Sequence, residues 1–212
     1  MELETMTCVD LTLRGIGRDA VPEIAVRHVA LRSAATAYTG VVYTTTGSSM
    51  LGSYIDFPGH ILETDDGRRA DTADLADFYR MDASVIHLDR ADGSGGISAE
   101  ELEKAFGGVP DTPVVILNAL GARGPLDIAP RSVWLAMDAV EWLIRSKCRI
   151  LVSDVYESRA LEGVFLKLFR AGITAVCEPN RLHKLTAPKV KLTISFVKFP
   201  VTQIPCTLVA EF

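Results

Sequence analysis

The sequence has no apolar run long enough to span a bilayer, no pair of cysteines at CxxC spacing and no excess of basic charge. Each absence removes a class. A membrane span needs about 20 consecutive apolar residues. A zinc knuckle or a dithiol redox motif needs paired cysteines. A net charge of -5 argues against nucleic acid or an anionic membrane as the main partner. The start, MELETMTCVDLT, is acidic and lacks a basic segment followed by an apolar core, so it does not read as a secretory signal. The expected location is the cytoplasm. There is also no internal repeat, low-complexity tract or linker, and one domain over residues 1–212 is expected.

What is present is the composition of an ordinary globular protein, 48% hydrophobic and 23% charged. Cys8, Cys148, Cys177 and Cys206 lie in or beside apolar, strand-like runs and are expected to be buried small hydrophobes. The first sixty residues are β-prone: Thr7–Leu13 alternates apolar and polar, and Glu23–Leu31 and Thr39–Thr46 are β-branched-rich. The Thr44–Ser49 run reads as an exposed strand.

Helix–strand alternation follows. Thr72–Arg80 is a short helix candidate and Ala83–Asp89 a strand. Ser98 and Glu101 have the spacing of a capping box, in which each residue serves the other's amide. Thr112–Leu120 is a continuous apolar run, suited to a strand covered on both faces. Ser132–Lys147 has helical spacing and a basic end. Leu161–Gly172 is a helix closed by glycine. Strands ending at Asp154 and Glu178, then two closing strands, complete an α/β domain with a mixed sheet and flanking helices. Ligands of such sheets collect at strand ends.

Within Met50–Ile61, MLGSYIDFPGHI, an Asp, a Pro and a His fall in five residues. With Gly52, Asp56, Pro58 and His60 at matching spacing, this stretch resembles the signature of the metal-dependent cyclase family that includes the bacterial kynurenine formamidases. Later segments are similar too: the helix and strand leading to VSDVYES, the LFRAGITAVCEPNRLHKL stretch around Glu178, and the closing strand pair. The resemblance implies a swivelling β/β/α-like fold, a hydrolase or cyclase activity on a small carbonyl compound, a homodimer or homotetramer, and one or two divalent ions such as zinc or manganese.

Three departures bear on the ion. The first signature histidine is Met50, the second is Tyr54, and the position expected for a later histidine is Phe165 or Leu166. Imidazole supplies most of the affinity for zinc, and a hydrolytic site needs about three protein ligands. No cofactor is therefore expected at this site. The candidate catalytic set is His60 as acid–base group with Asp56, Glu178 and Tyr54. It suits proton abstraction, dehydration, cyclisation or hydrolysis of an amide, lactam or lactone. Two other readings stand beside it: Asp56–His60 as turn chemistry alone, and an inactive homologue that binds a small molecule or a partner protein. His183 is the other histidine with a claim to the pocket.

Overall fold

The computed structural model describes residues 6–14 and 21–212; the acidic start at 1–5 lies outside these. In chain order the strands are β1 (Cys8–Asp10), β2 (Glu23–Arg32), β3 (Ala37–Thr46), β4 (Tyr54–Asp56), β5 (Met81–His87) and β6 (Gly95–Ile97). Helix α1 (Ala99–Phe106), β7 (Val114–Asn118), β8 (Val133–Leu135) and α2 (Met137–Arg145) follow. The chain ends with β9 (Ile150–Ser153), α3 (Val164–Arg170), β10 (Thr174–Cys177), β11 (Lys189–Phe196) and β12 (Gln203–Glu211).

The main sheet runs β1-β12-β11-β5-β7-β9-β10-β4, and β4 also pairs with β12. That last pairing closes seven strands into a barrel, which a mixed sheet with flanking helices does not specify. Strands β5, β7, β9 and β10 are parallel; β4, β11 and β12 join antiparallel. The alternation of side chains explains the closure. In β7, Val114 and Ile116 point into the barrel core while Val115 and Leu117 pack under the helices. In β10, Val176 points inward and Ala175 and Cys177 outward. Strands covered on both faces carry the continuous apolar runs seen in the sequence.

The outer layer holds α1, α2 and α3. Ser98 caps α1 by accepting the Glu101 amide at 3.2 Å, but the capping box is half made. The Glu101 carboxylate turns instead to the Arg90 guanidinium, with both oxygens within 2.9 Å of Nη1, a charged donor and so a stronger partner than an amide. Two other expected elements differ. Thr72–Arg80 forms one 3₁₀ turn, Leu75–Phe78, capped by Asp74. The helix expected over Ser132–Lys147 starts only at Met137, because Val133–Leu135 pairs in parallel with Gly95–Ile97. Cys148, Cys177 and Cys206 are buried; Cys8, on the edge strand β1, is exposed. Among the described residues no helix is long and apolar enough to cross a membrane.

β2 and β3 form a separate two-stranded ribbon, paired only with each other. Nearly every residue of it is exposed.

Candidate active site

β4 is held on both edges, by β10 and by β12. Its approach is fixed by Gly52, at φ +64°, where an added Cβ would come within 2.4 Å of the Leu13 carbonyl oxygen. Only glycine fits there. The next residue, Ser53, is buried; its hydroxyl donates to the Glu178 carbonyl at 2.8 Å and accepts the Leu13 amide at 2.8 Å. Ser53 thus ties the signature to the Glu178 segment. Glu178 itself follows β10 in the left-handed region, φ 52°, an uncommon conformation for a residue with a Cβ.

Alternation along β4 sends Ile55 into the barrel and turns Tyr54 and Asp56 toward the helix side. On that side, at the carboxyl ends of β9 and β10, lies a cavity of about 420 Å³. Tyr54, Cys177, Glu178 and Asp154 line it, together with Met50 and Phe165. Asp56 is 2% exposed and does not reach the cavity wall. His60 ends the 3₁₀ turn Pro58–His60, is exposed, and stands outside the lining. His183 is exposed as well and also outside it. The structure therefore brings Tyr54 and Glu178 to one cavity, places Asp56 within the protein beside them, and leaves His60 at the outer edge.

Asp56 does not cap the turn that follows it; the N-cap position is Phe57, with no side-chain hydrogen bond. Its carboxyl is pushed up to about 6 by burial, against the opposing pull of the His60 imidazole, the Gln203 amide and the Cys177 thiol. Among the described residues its Oδ1 has no hydrogen-bond partner, while Oδ2 lies 3.7 Å from Cys177 Sγ. Asp154 is pushed up to about 7 by burial, although its two oxygens accept the Ala119 and Leu120 amides at 2.9 and 3.1 Å. The charges of Cys177, Asp56 and Glu178, together with burial, drive Tyr54 well above the usual phenol range, so it remains an O–H donor. Burial and the neighbouring Asp56 likewise raise Cys177, which stays a thiol and a poor nucleophile.

Met50 and Tyr54, where the resemblance places imidazole, line this cavity, and of the two candidates for the third position, Phe165 and Leu166, Phe165 lines it. Phe165 stacks on Tyr156 with ring centroids 4.9 Å apart, and the Tyr156 hydroxyl is 2.8 Å from the Leu151 and Val176 carbonyls. A thioether, a neutral phenol and a phenyl ring do not make an ion cradle. Among the described residues no group of three His, Cys, Asp or Glu side chains is placed to hold a metal. The residues present do not fit the ion.

Two residues had no signal in the sequence. Arg131, at φ 57°, is the one cationic side chain lining the cavity among the described residues. Gln203 stands opposite Asp56 in the β12–β4 ladder. Asp154 was legible only as an acid at a strand end.

A search among curated proteins finds no match by sequence. Solved structures do match in fold. Isatin hydrolase A from Ralstonia solanacearum is 15% identical, with a TM-score of 0.72, covering 97% of this chain and 92% of that one. Isatin hydrolase A from Labrenzia aggregata, bound to benzyl benzoate, is 17% identical with a TM-score of 0.72 over 97% and 93%. A protein from Bacillus stearothermophilus described as a predicted metal-dependent hydrolase is 16% identical with a TM-score of 0.68 over 98% of both chains. At these identities the likeness establishes the shared fold. The family model described as cyclase matches residues 10–158, well over half of the 212, and the chain belongs to the cyclase family.

Proposed function

We propose that this cyclase-family protein is a hydrolase, or a lyase or ring-closing enzyme, acting on a small carbonyl compound: an amide, a lactam or a lactone. The observation that carries the reading is the cavity itself. Tyr54, whose neutral hydroxyl is a donor, and Glu178 both line it, Asp56 lies buried beside them, and His60 stands at its outer edge. The likeness to isatin hydrolases supports a cyclic amide as the first substrate class to test.

In this reading Tyr54 donates its hydroxyl to the substrate carbonyl oxygen. Glu178 takes a proton from water as the water oxygen bonds to the carbonyl carbon. The C–N or C–O bond then breaks, and the leaving atom takes the proton that Glu178 removed from water. His60 is the acid–base group that, through Asp56, takes up the proton released by the product acid; the Asp56 carboxyl titrates at about 6 and so changes state near neutral pH.

The test is ring opening of isatin-type lactams, N-formyl aromatic amines and lactones, with and without added Mn²⁺ or Zn²⁺. The expected result is turnover of at least one class without added metal, and a loss of about 10²–10⁴ in kcat for His60→Ala. Activity that survives His60→Ala removes His60 from the mechanism.

A second reading is a binding protein, favoured by Met50 and Phe165 occupying a largely apolar wall where a hydrolase of this family would need donors. Ligand binding, seen as a thermal shift, without turnover in any condition would select it.

The proposal extends to assembly as a homodimer or homotetramer through the β2–β3 ribbon. Ile24, Val26, Val41 and Tyr43 share one face of the ribbon and are 49–65% exposed. Ten residues per strand make it about 33 Å long. Two such ribbons exchanged about a two-fold axis offer an area on the order of the 1,200–2,000 Å² that a stable interface buries. With Arg27 and Arg32 against the single acid Glu23, the ribbon is basic on a chain of net charge -5, which suits a second copy as its partner. The mass in solution, by light scattering, is the measurement.

A further inference from the structure

Gln203 lies where three polar groups of the site meet. It is 7% exposed, and it entered the site only because β12 closes the barrel on β4, where it is the cross-strand neighbour of Asp56. Directly opposed residues in a ladder point to the same face. Its Oε1 accepts the Ser49 hydroxyl at 2.5 Å, and its Nε2 is 3.2 Å from His60 Nε2. Its amide lies close enough to Asp56 to favour the ionised carboxylate, without a hydrogen bond to Oδ1.

The orientation of the amide follows from these partners. An ionised carboxylate only accepts hydrogen bonds, so the end of the amide beside Asp56 is the NH₂. The same nitrogen is the one that meets His60. An amide N–H can be received only by an imidazole nitrogen without a proton, so the neutral ring must carry its proton on the other nitrogen. A proton on Nε2 would set two donors against each other. The amide cannot simply rotate to relieve this, since that would turn its oxygen toward Asp56.

We infer that Gln203 is a positioning residue that holds neutral His60 in the Nδ1–H tautomer, leaving Nδ1–H as the ring's hydrogen-bond donor and keeping Nε2 occupied as an acceptor. The functional part of this rests on the acid–base role proposed above for His60; the tautomer does not. In that role the ring gives up the Nδ1 proton only after Nε2 has taken one. It acts as a base through Nε2 only when the Gln203 amide is displaced.

The experiment is a long-range ¹H–¹⁵N correlation spectrum of ¹⁵N-histidine-labelled protein at a pH above the titration of Asp56. His60 is assigned by the signals lost in His60→Ala. Wild type should show His60 as the Nδ1–H tautomer. Gln203→Glu puts an acceptor in place of the donor and should convert it to Nε2–H. Gln203→Leu removes both and should abolish the Nδ1–H preference. Ser49→Ala frees only the amide oxygen and should leave the tautomer in place, because Asp56 still orients the amide.

A His60 in the Nε2–H form in wild type overturns the inference whether or not any variant folds. So does a tautomer that is unchanged in folded Gln203→Glu and Gln203→Leu. Because no substrate is involved, this outcome is separate from the activity test. An Nδ1–H tautomer together with activity that survives His60→Ala would sink the catalytic reading and leave the positioning role intact.

Discussion

The barrel and the β2–β3 ribbon are written in the same residues and meet opposite fates. Both are rich in Val, Ile and Thr. In β7 every residue is buried, because β5 and β9 take its backbone groups and two apolar layers cover its two faces. In the ribbon the same kind of run lies in solvent, with large apolar side chains such as Val26 and Tyr43 more than half exposed. An isolated two-stranded ribbon is marginal in water. β-propensity therefore reports that a segment suits a pleated surface; it does not report what covers that surface.

The strongest way to break this comparison is a truncation in each region. Ile116 is 0% exposed and sits in the barrel interior. Ile116→Ala should cost about 2–5 kcal/mol, the transfer loss plus a cavity that its neighbours cannot fill. Val41→Ala in the ribbon should change the stability of the dilute chain by no more than about 0.5 kcal/mol. Denaturant unfolding of both variants measures the difference, and equal costs would mean that the ribbon belongs to the core.

The barrel end also carries a charge dependence that the ribbon does not share. Asp154 and Asp56 titrate at about 7 and about 6, both raised by burial above the model-peptide range. For an acid raised in the folded state, the native protein binds more protons than the unfolded chain between the two values. Its contribution to stability is full below about pH 4 and is lost as pH rises through 6–7. Each pKa unit is about 1.4 kcal/mol, so the difference between wild type and Asp154→Asn should vary by a few kcal/mol between pH 4 and 8. Stability curves that stay parallel over that range would show that burial does not set the Asp154 titration.

What could be read from the sequence followed the range of the interactions. The apolar run of β7, the glycine after α3 and the Asp56-x-Pro58-x-His60 spacing are local, and each marks a feature of the fold or site. Barrel closure depends on Gln203 meeting Asp56, a pairing distant in sequence that no periodicity encodes. For that reason Gln203 gave no signal. The same closure sets which side of β4 faces the cavity, and so why Tyr54 lines it; His60 lies past the end of β4, in the turn Pro58–His60. Val133–Leu135 read as the start of a helix because its apolar spacing continues that of α2; its parallel partner at Gly95–Ile97 decides otherwise. Cys8 had the neighbours of a buried thiol but lies in an edge strand.

The smallest effect on the barrel, and the sharpest test of what the ribbon is for, comes from changing one cross-strand pair. Val26 and Tyr43 face each other directly. Replacing them together, Val26→Lys with Tyr43→Glu, removes apolar surface yet leaves an opposite-charge pair that supports the hairpin. The ribbon should still form, and because it pairs with no other strand, the unfolding of the dilute chain should shift by less than about 0.5 kcal/mol. Assembly should not survive: two buried apolar contacts per chain become charges that must be desolvated wherever a second copy covers them. Light scattering should then give a mass near 23.0 kDa for the variant and a multiple of it for wild type. A wild-type chain that is already monomeric would mean that no second copy covers the ribbon. An oligomer unchanged by the double substitution would place the interface on the barrel.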